Sequence, residues 1–290
     1  MPEHRTEREV AGPWSLATSR TFWEGFGPAA LRYQPVNGTL RTVFLVERDW
    51  STAVVTVRQE DTTAHLTVTG EGDLAAATEQ TARFLALDID ATDWPAVGTR
   101  DQVIAAAQAK LPGLRPCGFH SPYEAATWAV LSQRLRVPQA AQLRTALIDR
   151  HGHEGAFPAP ALLRTLELNL PGRKAEYLRT VADAALDGTL DGTRLRELDP
   201  AAAVAQVQQV KGLGPFAAEL VVLRGANHPD AVPRHEEQLL DEITVQYGPD
   251  ATLDQVSPAW QPFRTWASVH LRAIRALHST KRAGLVREAG

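Results

Sequence analysis

Sulfur is scarce in this chain. Its 290 residues include one cysteine, Cys117, and one methionine. A single cysteine excludes an internal disulfide, a four-cysteine iron–sulfur cluster and a cysteine-rich zinc site. It suits a reducing compartment. Long apolar runs are missing as well, so no segment reads as a membrane span. The polar start Met1-Pro2-Glu3-His4-Arg5 is not followed by an apolar core of the signal-peptide kind. The expectation is a cytoplasmic protein without membrane association. Internal repeats and low-complexity tracts are absent. No paired His/Asp/Glu spacing suggests a metal site, so none is expected. A basic surplus is missing too: the formal net charge is −4, which by itself argues against a nucleic-acid partner.

The distribution of charge says more than the sum. Acidic residues dominate from Glu60 to Arg100, whereas basic residues dominate from Leu131 to Thr180 and from Phe263 onward. The apolar content, 44%, with 22% charged residues, is ordinary for a globular chain, and the length allows two or three packed units.

Thr39–Glu47, Ala53–Arg58 and Ala64–Thr69 are β-branched and partly alternating, so strands are expected there, with Gln59-Glu60-Asp61 as a hairpin connection. Leu74–Leu87 has helical character and would cross the sheet. Residues 1–100 therefore read as a small antiparallel α+β domain. Residues 101–290 read as all-helical. Asp101–Leu111 opens this part. Ser121-Pro122-Tyr123-Glu124 then forms a capping box with proline at the first helical position, opening Pro122–Leu135. Further helices are expected at Gln139–His151, Ala161–Leu168, Arg173–Leu186, Pro200–Gln208, Pro215–Arg224, His235–Tyr247 and Pro258–His278.

Gly212-Leu213-Gly214 lies between two of these helices. Glycine permits positive φ and close backbone approach, and the helix starting at Pro215 turns unpaired N–H groups and its positive dipole end toward the same place. Together they can form an anion site built of backbone, to which Lys211 adds charge and Leu213 an apolar plug. A C-capped helix followed by a new one is the alternative reading of the tripeptide.

The surrounding text carries a resemblance. Val210–Pro233, VKGLGPFAAELVVLRGANHPDAVP, resembles the helix-hairpin-helix and following segment of the helix-hairpin-helix-GPD superfamily of DNA glycosylases, most of all the 3-methyladenine DNA glycosylase II branch. Ser121–Leu143 resembles that branch's opening helix and wedge loop, Asn169–Leu178 its Gly-Arg-Lys-Ala helix start, and Trp260–Trp266 its C-terminal W-x-P-[FW]-R segment. The order of the four stretches is that of the family. The resemblance implies a mainly α protein: a TATA-binding-protein-like N-terminal domain followed by a helical glycosylase module. It implies a monomer that binds duplex DNA, flips a damaged, alkylated base out of the stack and hydrolyses its N-glycosidic bond in base excision repair. A carboxylate would stabilise the oxocarbenium character that develops on the sugar and orient water.

The resemblance also assigns residues. The family's catalytic aspartate falls on Glu236, and a shift of one register would exchange it for Glu237. Either glutamate is the main departure from the pattern, since the added methylene moves the carboxylate. A weak or inactive relative that binds bent or damaged DNA without base release is therefore the alternative. Phe216 matches a pocket aromatic and stands where lyase-type relatives carry a lysine, which implies no Schiff-base strand cleavage; simple core packing is its other reading. Trp128 is a further pocket candidate. Arg272 stands where the branch often has a second pocket tryptophan, and an arginine there would repel a cationic base. Gln133 and Arg134 fall on the wedge, with Lys211, Gly212, Leu213 and Gly214 as the other DNA contacts. Arg173 and Lys174 read either as phosphate neutralisers or as a solvated helix face. No organic cofactor is implied, although the hairpin carbonyls of relatives can hold a monovalent cation.

Overall fold

The computed structural model describes residues 1–25 and 38–288, with side chains up to residue 276. Four antiparallel strands come first: β1 (Glu3–Glu9), β2 (Thr39–Leu45), β3 (Thr52–Glu60) and β4 (Thr63–Gly70), in the order β1-β4-β3-β2. Helix α1 (Leu16–Glu24) links β1 to the segment before β2. Alternation on β3 and β4 buries Ala53, Val55 and Val57 against Ala64, Leu66 and Val68. Register aligns these into cross-strand rows, Thr42–Val55–Val68 and Leu40–Val57–Leu66. Helix α2 (Leu74–Phe84) covers that face, capped by Asp73, whose side chain accepts from the Ala76 amide.

Among the described residues twelve further α-helices follow α2: α3 (Trp94–Arg100), α4 (Gln102–Lys110), α5 (Pro122–Ser132), α6 (Val137–His151), α7 (Pro160–Leu163), α8 (Lys174–Leu186), α9 (Gly192–Glu197), α10 (Pro200–Gln208), α11 (Pro215–Leu220), α12 (Glu237–Tyr247), α13 (Leu253–Val256) and α14 (Arg264–Glu288). The chain is thus mainly helical, with a small N-terminal antiparallel sheet.

Several boundaries differ from the sequence expectation for local reasons. The first strand, EHRTERE, has no apolar alternation because it is an edge strand with no side chain fully buried; its ladder to β4 holds it in place. Helix α5 stops at Ser132 because Ser132–Leu135 forms a tight turn, closed by the Leu135 amide on the Ser132 carbonyl at 3.1 Å. Pro215–Arg224 is α-helical to Leu220 and then widens into a π turn, Val221–Gly225. The final expected helix is split into a 3-10 turn, Ser257–Trp260, and α14, with Gln261-Pro262-Phe263 between them. At α5 only half of the capping box forms. Ser121 accepts from the Glu124 amide, but the Glu124 carboxylate is buried against Arg144 at 3.0 Å and His120 at 3.3 Å.

Two apolar clusters organise the helices. One is continuous from the inner face of the sheet through α5, α8, α10 and α11. His120 ties sheet to helices within it: its Nε2 lies 2.7 Å from the Thr42 hydroxyl and its ring stacks on Phe44, with ring centroids 5.0 Å apart. Cys117 is buried in the same cluster, where burial pushes its thiol up to about 12, so it is no nucleophile at neutral pH. The second cluster joins α3, α4, α12, α13 and α14 around Trp94, Trp260 and Trp266. Trp266, read from sequence as core, is fully buried there.

His270, one turn after Trp266, is also fully buried, and its Nδ1–H donates to the Trp266 carbonyl at 2.8 Å. Burial pushes its pKa down to about 4. Between that value and the unfolded value of roughly 6.5, the unfolded chain binds more protons than the folded one, so stability falls as pH drops through this window and levels off below it. The expected loss from this group between pH 7 and pH 5 is about 2 kcal/mol. Urea titrations at the two pH values check it. His270→Gln should flatten the dependence, and an unchanged slope would refute the assignment.

Candidate functional site

The hairpin forms between α10 and α11. Leu213, buried, donates its amide to the Val210 carbonyl at 3.0 Å. Gly212 has φ 101°, and a Cβ there would lie 2.5 Å from the Tyr177 ring, so both backbone conformation and packing require glycine. Gly214 is different. It is the N-cap of α11 with an extended φ of −80°, and a Cβ there would meet nothing within 4 Å. The first amides of α11 face this open side without helical partners. Two hairpin carbonyls are held from outside: Lys211 O accepts from the Thr180 hydroxyl at 2.9 Å and Gly212 O from Gln133 Nε2 at 2.8 Å. Among the described residues no cluster of three His, Cys, Asp or Glu side chains could hold a metal.

Gln133 thus joins the Ser132–Leu135 turn, the wedge expected from the resemblance, to the hairpin. The turn is anchored from the other side by Lys174, buried, whose Nζ donates to the carbonyls of Val130 at 2.9 Å and Gln133 at 2.7 Å. Lys174 therefore neither neutralises a phosphate nor sits on a solvated face; it caps the C-terminus of α5, where a cation meets the negative dipole end. Burial pushes its pKa below the ordinary lysine value, and the charge of Arg134 adds to this. Arg134 itself is exposed at the tip with φ 55°. That left-handed conformation suits glycine or asparagine, and an arginine held in it stores strain.

Lys211 pairs with Glu176 at 2.7 Å, and Arg173 forks onto the same carboxylate while lying over the Tyr177 ring. Hydrogen bonds from Arg173 and Lys211 hold the Glu176 carboxyl down at about 2. Phe216, in the first turn of α11, is 50% exposed, whereas Trp128 is buried within the helical core.

The segment after the hairpin is held by a carboxylate that sequence reasoning missed. Glu219 on α11 is buried and accepts from the amides of Arg234 at 3.0 Å and His235 at 2.9 Å, and from His235 Nδ1 at 2.7 Å. Asp230 is tied to Arg264 by two side-chain contacts of 2.9 and 2.8 Å. These ties bring Glu236 to the N-cap of α12, where its side chain accepts from the Gln238 amide at 3.3 Å. Its second oxygen lies 2.6 Å from Arg272 Nε on α14. Glu237, next in the chain, is exposed. The π turn after α11 places Arg224 within electrostatic reach of both Glu236 and Arg272. Arg224 donates to the Cys117 carbonyl at 2.6 Å and lies over the Phe22 ring, 5.4 Å from its centroid. Lone charged residues in the apolar run Ala217–Leu223 and at its end were the available signal for Glu219 and Arg224.

No protein-family model matches the chain. Over 198 residues it is 23% identical to the DNA-3-methyladenine glycosylase of Bacillus subtilis, covering 63% of this chain and 65% of that one. It is 28% identical over 173 residues to DNA-3-methyladenine glycosylase 2 of Escherichia coli, covering 55% and 60%. The aligned region thus spans less than two thirds of either relative. The structure superposes on the 3-methyladenine DNA-glycosylase of Archaeoglobus fulgidus with a TM-score of 0.70 at 18% identity, covering 92% of this chain and 96% of the other. The arrangement of the sheet and the helices is therefore the fold of that solved structure.

Proposed function

We propose that the protein is a DNA glycosylase of base excision repair, which binds duplex DNA, flips a damaged, alkylated base from the stack and hydrolyses its N-glycosidic bond. Curated relatives that carry the name DNA-3-methyladenine glycosylase support this reading. The observation that carries it is the pairing of an open backbone hairpin at Gly214 with a carboxylate, Glu236, fixed at a helix N-cap by Glu219 and Arg272. The hairpin would grip a phosphate through backbone amides, and Arg134 would fill the gap left by the flipped base. Glu236 would face the sugar, stabilise its developing positive charge and take the proton of the attacking water. Phe216, standing where a Schiff base would need a lysine, supports hydrolysis without strand cleavage.

Base release from a panel of lesion duplexes tests the proposal. Abasic sites should appear, with strand breaks only after alkali. Absence of release from every duplex, or breaks without alkali, would contradict it. Arg134→Gly separates fold from function at the wedge. Relief of the left-handed conformation should raise stability by up to about 1 kcal/mol, while affinity for the lesion duplex falls. A variant that is both more stable and binds as well as the original removes Arg134 from the interface.

A further inference from the structure

Resting on the glycosylase reading above, we propose that Gln133, held in place by Lys174, is a positioning residue that makes the Ser132–Leu135 turn and the hairpin one unit, so that filling the gap in the duplex and gripping the phosphate occur together. The two elements lie far apart in the chain: 79 positions separate Gln133 from Gly212, whose carbonyl accepts from Gln133 Nε2 at 2.8 Å. Gln133 is the C-cap of α5 and faces two ways. Its side chain reaches out to the hairpin, while its own carbonyl accepts from Lys174 Nζ at 2.7 Å. Lys174 is buried and also donates to the Val130 carbonyl at 2.9 Å, so the ammonium pins the last turn of α5. Both ends of this link rest on one side of α8, where Lys174, Tyr177 and Thr180 recur every three residues. The Tyr177 ring packs against Gly212, where a Cβ would lie 2.5 Å from it, and the Thr180 hydroxyl donates to the Lys211 carbonyl at 2.9 Å. About 9 Å of helix axis separates Lys174 from Thr180. That length sets the distance between turn and hairpin.

The link runs between the residues next to the two proposed DNA contacts. Arg134, exposed at the tip of the turn, directly follows Gln133. Gly214, whose side toward the first amides of α11 is open, lies two residues after Gly212. A duplex that meets both contacts must therefore adopt the spacing that α8 and Gln133 impose. With the link intact, seating one contact brings the other into place, and little further freedom is lost. With the link open, turn and hairpin must be ordered separately, and that cost falls on the binding step. The side chains at the two contacts then act independently, as sites without a shared partner do.

Titration of a duplex carrying one tetrahydrofuran abasic analogue tests the proposal, because binding it needs no base release. Arg134→Ala removes the side chain at the tip. Gly214→Ala adds a methyl group on the open side of the hairpin, where it meets nothing within 4 Å, so the fold should tolerate it. Each should weaken binding about tenfold. The double variant should lose at least about fivefold less affinity than the product of the single losses, since either loss already ends the joint action. In Gln133→Met, which keeps the length and removes the donor, the two losses should multiply to within about twofold. Lys174→Met should act in the same way from its buried position. Thermal melts establish which variants are folded, and Gln133→Met decides the proposal by itself. A weakened fold or a lost DNA contact in Gln133→Met would lower affinity but leave the coupling as it was. Losses that multiply in the wild-type background overturn the proposal. So does a coupling of the same size in Gln133→Met, which would mean that the DNA carries it, and so does a single variant that binds as well as the wild type. In each of these cases base release by the wild type leaves the glycosylase reading in place. A wild-type protein that binds no duplex overturns both.

Discussion

Replacing Glu236 with glutamine is expected to reduce base release by about a hundred- to ten-thousandfold, the range associated with loss of a positioned general base. Affinity for the lesion duplex should change little. Glutamine has the same length and keeps an oxygen for the Gln238 amide, which Glu236 meets at 3.3 Å. It cannot take a proton from water or place a full negative charge beside an oxocarbenium-like sugar. On the proposed reading, duplex affinity would rest on the hairpin, the Ser132–Leu135 turn and phosphate contacts, none of which this substitution alters. The fold should also survive. The Glu236–Arg272 pair is partly exposed, and such pairs contribute no more than about 1 kcal/mol. Glu237→Gln is the control, since Glu237 is exposed and one position along the chain. Single-turnover release, duplex titration and a thermal melt on both variants separate chemistry, binding and folding. Full activity in Glu236→Gln with loss in Glu237→Gln would move the catalytic position by one residue. Full activity in both would remove this carboxylate from the reaction.

Arg115→Met is expected to destabilise the protein by at least about 4 kcal/mol, a large part of the roughly 5–15 kcal/mol that holds a typical domain together. Arg115 is fully buried, yet its guanidinium has no carboxylate partner among the hydrogen bonds it makes. It donates to four backbone carbonyls: Pro13 at 3.1 Å, Ala86 at 2.6 Å, Ile89 at 2.9 Å and Ala11. It also lies over the Trp266 ring, 5.5 Å from the centroid. Burial pushes its pKa down to about 10, which still leaves it charged at neutral pH. One side chain thus joins the end of the β1 segment, the loop after α2 and the first turn of α14. A methionine fills a similar volume but donates nothing, and each unsatisfied buried carbonyl costs about 1–3 kcal/mol. The melting temperature should drop by about 8 °C or more, or the variant should fail to accumulate as folded protein. A drop under about 2 °C would show that the carbonyls find other donors.

Arg115 also marks the limit of what the sequence discloses. Leu114-Arg115-Pro116 looks like an ordinary connection, because the four carbonyls that use the guanidinium come from residues 26 to 104 positions away. Lys174 carries the same lesson. In the chain it stands beside Arg173 at a helix start and invites a reading as a surface charge. In the fold Arg173 is on the surface, and Lys174 is turned inward to the end of α5. Neighbouring residues of a helix face directions about 100° apart, and composition cannot say which direction meets a neighbour.

Local chemistry determined the rest. Alternating β-branched runs fix β2, β3 and β4, since one face of each must be covered. Proline and cap residues fix the starts of α5 and α10, where Ser121 and Asp199 satisfy free amides. The hairpin is legible because its glycine is required at Gly212 by the backbone itself. The sequence alone therefore determined a small sheet, a helical remainder and the hairpin, and its resemblance singled out the stretch that contains Glu236. Tertiary structure alone decided that Glu236 rather than Glu237 meets Arg272, that Glu219 holds the approach to it, and that Arg224 comes within electrostatic reach of both Glu236 and Arg272. Those contacts join residues far apart in the chain, and their sign and direction arise only when α11, α12 and α14 are packed together.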